Sequence, residues 1–171
     1  MRRPAPFIPM GARDGQYRAR WLAPLSVMVG SMVTILPFVA TFAWLPPFGL
    51  IMLLAWRLHR ADTLKVWAAV PLGLFDDMFS GQPMGNAMML WTLCFIMIDV
   101  IDTRLVWRDF WHDWLIAAGG IAFCLIAGRL IATDIGAHVE TTLLVQILVS
   151  TALFPVATRF CAWLDRDFRR S

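Results

Sequence analysis

Two adjacent carboxylates, Asp76 and Asp77, stand inside "PLGLFDDMFSGQPMG" (71–85), a stretch otherwise apolar enough for a helix in lipid. Paired acids there admit three roles: holding a divalent cation and its phosphate ligand, binding a solute, or orienting a helix. An Asp-rich diphosphate site wants a further acid where Ser80 stands, and no second Asp-rich stretch occurs. The long aspartate pattern of membrane phosphatidyl transferases is also missing. His138 with Glu140, and His112 with Asp113, lack the i, i+4 spacing of helical zinc ligands. No Ser, His and Asp set suggests a nucleophile. Cys94, Cys124 and Cys161 have no metal-site spacing and read as small packing residues. The expectation is therefore a non-enzymatic protein without catalytic, metal or cofactor residues.

The elements that must position these acids follow from composition. Of 171 residues 59% are apolar and 16% charged, with mean hydropathy +0.65, where a soluble domain is nearer half apolar and a quarter charged. Six apolar runs appear: 21–40, 42–56, 66–79, 84–100, 114–132 and 139–163. Backbone groups in lipid must be satisfied within their own segment, so the runs read as six transmembrane helices of an all-α integral membrane protein. The second and third are short; the second begins beside Pro46 and Pro47, as a tilted span or one limb of a re-entrant hairpin. The first is longer than the usual signal-peptide core of about 7 to 15 residues and more spans follow, so it reads as a span.

Charge sets the orientation. With the amino terminus in the cytoplasm, every one of the 15 Lys and Arg residues except Arg129 falls at a cytoplasmic end, which puts both termini inside. The net charge of +3 and pI near 9.1 then reflect topology and anionic lipid, and no nucleic-acid partner is implied. Residues 1–20, rich in Arg, Pro and Gly, read as a flexible basic cytoplasmic tail, 21–165 as the membrane domain, and 166–171 as a basic cytoplasmic end. "SGQP" (80–83) and "TDIG" (133–136) face outward.

In "RLVWRDFWHDW", Trp107, Phe110, Trp111 and Trp114 share one helical face, which predicts a short interfacial helix anchored in lipid before the fifth span. Small residues four apart, Ser26/Gly30/Thr34 and Gly120/Cys124/Gly128, allow close helix approach, with packing inside the chain the simpler use. Asp99 and Gln146 are the remaining polar candidates for a solute pocket. Asp99, near Asp102 and Arg104, is expected to be solvated at the inner interface, and Gln146 to make an interhelical hydrogen bond.

Asp76, Asp77, Arg129, His138 and Glu140 share one outer layer on this topology. Arg129, the lone cation there, is expected to pair with Asp76 or Asp77 and fix the third helix against the fifth. Neighbouring helical residues point about 100° apart, so one guanidinium does not serve both acids.

Gly73, an Asp a few residues on, and Pro83 with Gly85 as a Pro-x-Gly turn opening the next helix, together with size and hydropathy over residues 20–165, resemble the rod shape-determining protein MreD family. Pro155 in the last span also fits. The resemblance implies a scaffold subunit of the bacterial cell-elongation and peptidoglycan synthesis machinery in the inner membrane. Its implied partner is the periplasmic coiled-coil protein MreC, and beyond it RodA, a class B penicillin-binding transpeptidase and MreB. The family's fold is similar to the substrate-binding subunits of energy-coupling-factor transporters, which keeps a vitamin-type solute carrier as the alternative. Gly73, Pro83 and Gly85 would then shape the outward turn, as a partner contact or as simple turn punctuation.

Overall fold

The computed structural model describes residues 10–33, 45–60, 63–81, 83–104, 110–132 and 140–170. It holds α1 (Met10–Met32), α2 (Phe48–His59), one 3-10 turn (Val66–Ala68), α3 (Ala69–Ser80), α4 (Asn86–Arg104), α5 (Phe110–Ala132) and α6 (Glu140–Arg170). There is no strand among the described residues. The segments Asn86–Arg104, Phe110–Ile131 and Thr141–Asp167 are long and apolar enough to cross a membrane, and Trp21–Met32 and Phe48–His59 are shorter apolar helices.

α2 is the centre of the bundle, with α1, α5 and α6 packed around it. Nine of its 12 residues are buried, among them Leu50, Ile51, Leu53, Leu54 and Trp56, as expected of a helix that is apolar on every side. The two small-residue stripes serve this core. A Cβ on Gly30 would stand 3.2 Å from the Phe48 carbonyl carbon, and one on Gly120 would stand 2.8 Å from Cys94 Sγ. Between them, Trp56 Nε1 donates to Ser26 Oγ at 2.7 Å, joining α2 to α1. Thr34 lies outside the described residues.

Charge closes one end of this core. Arg57, 5% exposed, pairs with Asp99 and lies 3.8 Å from Asp102, and its guanidinium sits 5.7 Å from the centre of the Phe95 ring. Asp99, its side chain 46% exposed, is open to solvent as expected and in addition pairs with a buried cation. Arg60 pairs with Asp165 at 3.2 Å, so α2 is tied to both α4 and α6. Towards its other end, Gln146 Nε2 donates to the Leu45 carbonyl at 2.8 Å. That interhelical role is the one expected of Gln146.

Two boundaries differ from the hydropathy reading. α1 starts at Met10, so Met10 to Arg20, within the expected flexible basic tail of residues 1–20, is helical, while residues 1–9 lie outside the described residues. Once a helix is nucleated, each added residue brings a hydrogen bond, and Gly11 and Gly15 cost only about 1 kcal/mol each. The second difference concerns the aromatic run. Phe110, Trp111 and Trp114 belong to the first turns of α5 itself, while Trp107 and Arg108 lie outside the described residues.

Trp114 has a further use. Pro155 lies inside α6 and has no N–H, which removes the main-chain donor for the Thr151 carbonyl four residues earlier. Trp114 Nε1 donates to that carbonyl at 3.2 Å and docks α5 on α6. Replacing it by Phe should cost about 0.6–2 kcal/mol in detergent. Adding Pro155→Ala restores the main-chain donor and should recover most of the thermal midpoint. Additive losses in the double variant would contradict this pairing.

Candidate functional site at the turn between α3 and α4

α3 begins with a 3-10 turn and carries Pro71 in its first turn, where its missing N–H is not needed. It ends at Gly81, whose φ of +66° is the left-handed conformation that closes helices on glycine. Gly85, at φ +93°, then turns the chain into α4. α4 begins at Asn86 with no Ser, Thr or Asp just ahead of it, so its first N–H groups need acceptors from elsewhere.

Asp77 supplies them. It is 3% exposed, and its Oδ2 accepts from Gly85 N at 3.0 Å and Met88 N at 3.2 Å, while Oδ1 accepts from Ala87 N at 2.8 Å. Asn86 N donates to the Pro83 carbonyl at 3.1 Å, and Met89 N to the Gly85 carbonyl at 3.0 Å. Every main-chain N–H from Gly85 to Met89 is therefore accounted for. The buried carboxylate is balanced by three donors and by the positive end of the α4 dipole. A charged acceptor in such a bond contributes about 1.5–3 kcal/mol net, well above a neutral one.

Gly73 lies one turn before Asp77 on the same face of α3. A Cβ there would come within 2.6 Å of Met88 Cα and 2.7 Å of Met88 N. Only glycine lets α3 approach α4 closely enough for the Asp77 carboxylate to reach its N-terminal groups. Gly73, Asp77, Pro83 and Gly85 thus form one unit: contact, cap, acceptor and turn.

Asp76 points elsewhere and is half-buried. Its carboxylate and the Ser31 hydroxyl of α1 come together beside Gly49. A Cβ on Gly49 would overlap Ser31 Oγ, stand 3.0 Å from Asp76 Oδ1 and 3.3 Å from the Trp91 ring, so α1, α2, α3 and α4 converge there. The two acids face different helices, Asp77 towards α4 and Asp76 towards α1 and α2. Where Arg129 was expected, Asp77 meets main-chain N–H groups of α4, and Asp76 lies beside Ser31 and Gly49. Arg129 itself sits exposed in the last turn of α5.

His138 and the "TDIG" loop lie outside the described residues, as does the side chain of Glu140. Among the described residues no three His, Cys, Asp or Glu side chains gather as a metal site. Cys94, Cys124 and Cys161 are buried free thiols in the helix contacts.

A family model described as rod shape-determining protein MreD matches residues 16–163, most of the chain. The chain belongs to the MreD family. No curated protein and no solved structure matches it. In this MreD chain the doubled acid has a clear division: Asp77 closes the Gly73 to Gly85 unit, and Asp76 braces α3 against α1 and α2.

Residues that sequence reasoning missed are Arg57, Ser31 and the partner of Trp114. Arg57 left a signal, since Asp99 and Asp102 are i, i+3 on one face of α4 and call for a cation. Ser31 left none, because a lone serine in an apolar helix is ordinary.

Asp77→Ala should remove the cap and lower the unfolding midpoint strongly, by about 2–4 kcal/mol, with Asp76→Ala less damaging because Asp76 is less buried. Gly73→Ala should be as harmful as Asp77→Ala. Equal midpoints for wild type and Asp77→Ala in detergent would remove the cap from the explanation.

Proposed function

We propose that this chain is a non-enzymatic scaffold of the bacterial inner membrane, crossing it six times with both termini in the cytoplasm. It holds MreC on the outer face as part of the cell-elongation and peptidoglycan synthesis machinery, with RodA, its class B transpeptidase and MreB reached through that assembly. Membership of a rod shape-determining family supports the process. The positive-inside distribution of Lys and Arg supports the topology.

One observation carries the scaffold reading. The Asp77 carboxylate holds Gly85 and the start of α4, and just ahead of them Gly81, Pro83 and Met84 are exposed, Met84 at 74%. A rigid turn with an exposed thioether suits the docking of an apolar partner segment, because little conformational freedom is lost on binding. The polar side chains of the interior serve helix placement: Asp77 caps, Asp76 braces, Arg57 pairs and Gln146 bonds main chain. These uses favour a scaffold over a carrier, whose interior polar groups would address a solute.

Depletion in a rod-shaped host should round the cells, and MreC should co-purify with the wild-type chain. Met84→Glu leaves the cap untouched and should accumulate normally while recovering MreC at least ten-fold less well. Full recovery of MreC by this variant would remove the turn as the contact, and a vitamin bound in stoichiometric amount would favour the carrier.

A further inference from the structure

The lipid-facing side of α3 is short. Trp67, Val70, Leu74 and Met78 are exposed at intervals of three and four residues, one continuous apolar stripe. Exposed Lys65 bounds it at one end and exposed Ser80 and Gly81 at the other. From Trp67 to Met78 the stripe is about 18 Å long at roughly 1.5–2 Å per residue. By contrast, α5 exposes Phe110, Trp111, Leu115, Ile126, Leu130 and Ile131 along about 32 Å. A hydrocarbon core is about 30 Å thick, so α5 matches it and α3 falls short by roughly 10 Å.

We propose that the α3 flank thins the bilayer beside it, giving the protein a hydrophobic belt of unequal height. The inference rests on the membrane-spanning reading above. Two features prevent α3 from adjusting instead. Its register on α4 is fixed by the contact of Gly73 with Met88 and by the Asp77 bonds to Gly85, Ala87 and Met88. Tilting would shorten its vertical reach further. Lys65 and Trp67 have the chemistry of an interfacial anchor, an ammonium that reaches water beside an amphipathic ring. The occupant that fits the stripe is therefore lipid drawn inward, the ordinary response to a short apolar segment. The thinned zone adjoins the turn proposed to receive the partner, which would bring outer headgroups down towards Ser80.

The full chain, reconstituted in phosphatidylcholine vesicles with monounsaturated acyl chains of roughly 14 to 22 carbons, tests this through its unfolding midpoint. The wild type should be most stable at the thin end and lose several degrees at the thick end. Combining Lys65→Leu with Ser80→Leu lengthens the stripe at exposed positions and should move the optimum to longer chains. An optimum unchanged by the double variant, or a wild type most stable in thick bilayers, overturns the proposal. Disulfide-linked dimers of Met78→Cys in the thin vesicles also overturn it, because a second copy would then cover the stripe. A chain that fails to float with any vesicle contradicts both the thinning and the membrane reading.

Discussion

A buried carboxylate from one helix accepting the first N–H groups of the next is the interaction on which this structure turns. Lipid offers no hydrogen bonds, so a helix that starts within reach of hydrocarbon must find acceptors in the protein. Its flanking residues give α4 one, the Pro83 carbonyl for Asn86 N, and Asp77 provides two oxygens for three further donors. The charge that would be costly alone in such a place is offset by those donors and the helix dipole. Gly73 is a condition of this arrangement, since any side chain there would hold the two helices apart.

The same rule governs the rest of the interior. Pro155 frees a carbonyl and Trp114 takes it; Pro46 and Pro47 interrupt the chain before α2 and Gln146 takes the Leu45 carbonyl. Arg57 is buried against Phe95 but lies between two carboxylates of α4. Pro155, the break before α2, Arg57 and Asp77 are each matched by a donor or acceptor on another helix. Those matches set which helices are neighbours, and α2 becomes the hub because it carries Arg57, Arg60 and Trp56 to three of them.

Much of this was legible in the sequence, and for physical reasons. Apolar runs located every helix of the described chain, because burial and lipid both demand them. Boundaries were less legible where helix propagation outran hydropathy, as from Met10 to Arg20. At the site, residue types were readable but partners were not. Gly73, the Asp76–Asp77 pair, Pro83 and Gly85 stand out by type and spacing, but which acid caps α4 does not, because a main-chain N–H has no letter in the sequence. Side-chain charges alone point to Arg129 as the partner of the aspartates. The Arg57 pair does leave a signal, the i, i+3 spacing of Asp99 and Asp102 on one face of α4.

For an MreD family member, the consequence is that the motif works as a joint. It fixes α3 against α4 and holds Gly85 and the first turn of α4 in place. Hydrogen–deuterium exchange of the intact protein in detergent, followed on peptides covering residues 81–92, measures the joint directly. The account predicts protection of the Gly85 to Met88 amides in the wild type and its loss in Asp77→Asn, with α6 peptides unchanged. Equal protection of those amides in the two proteins would contradict it.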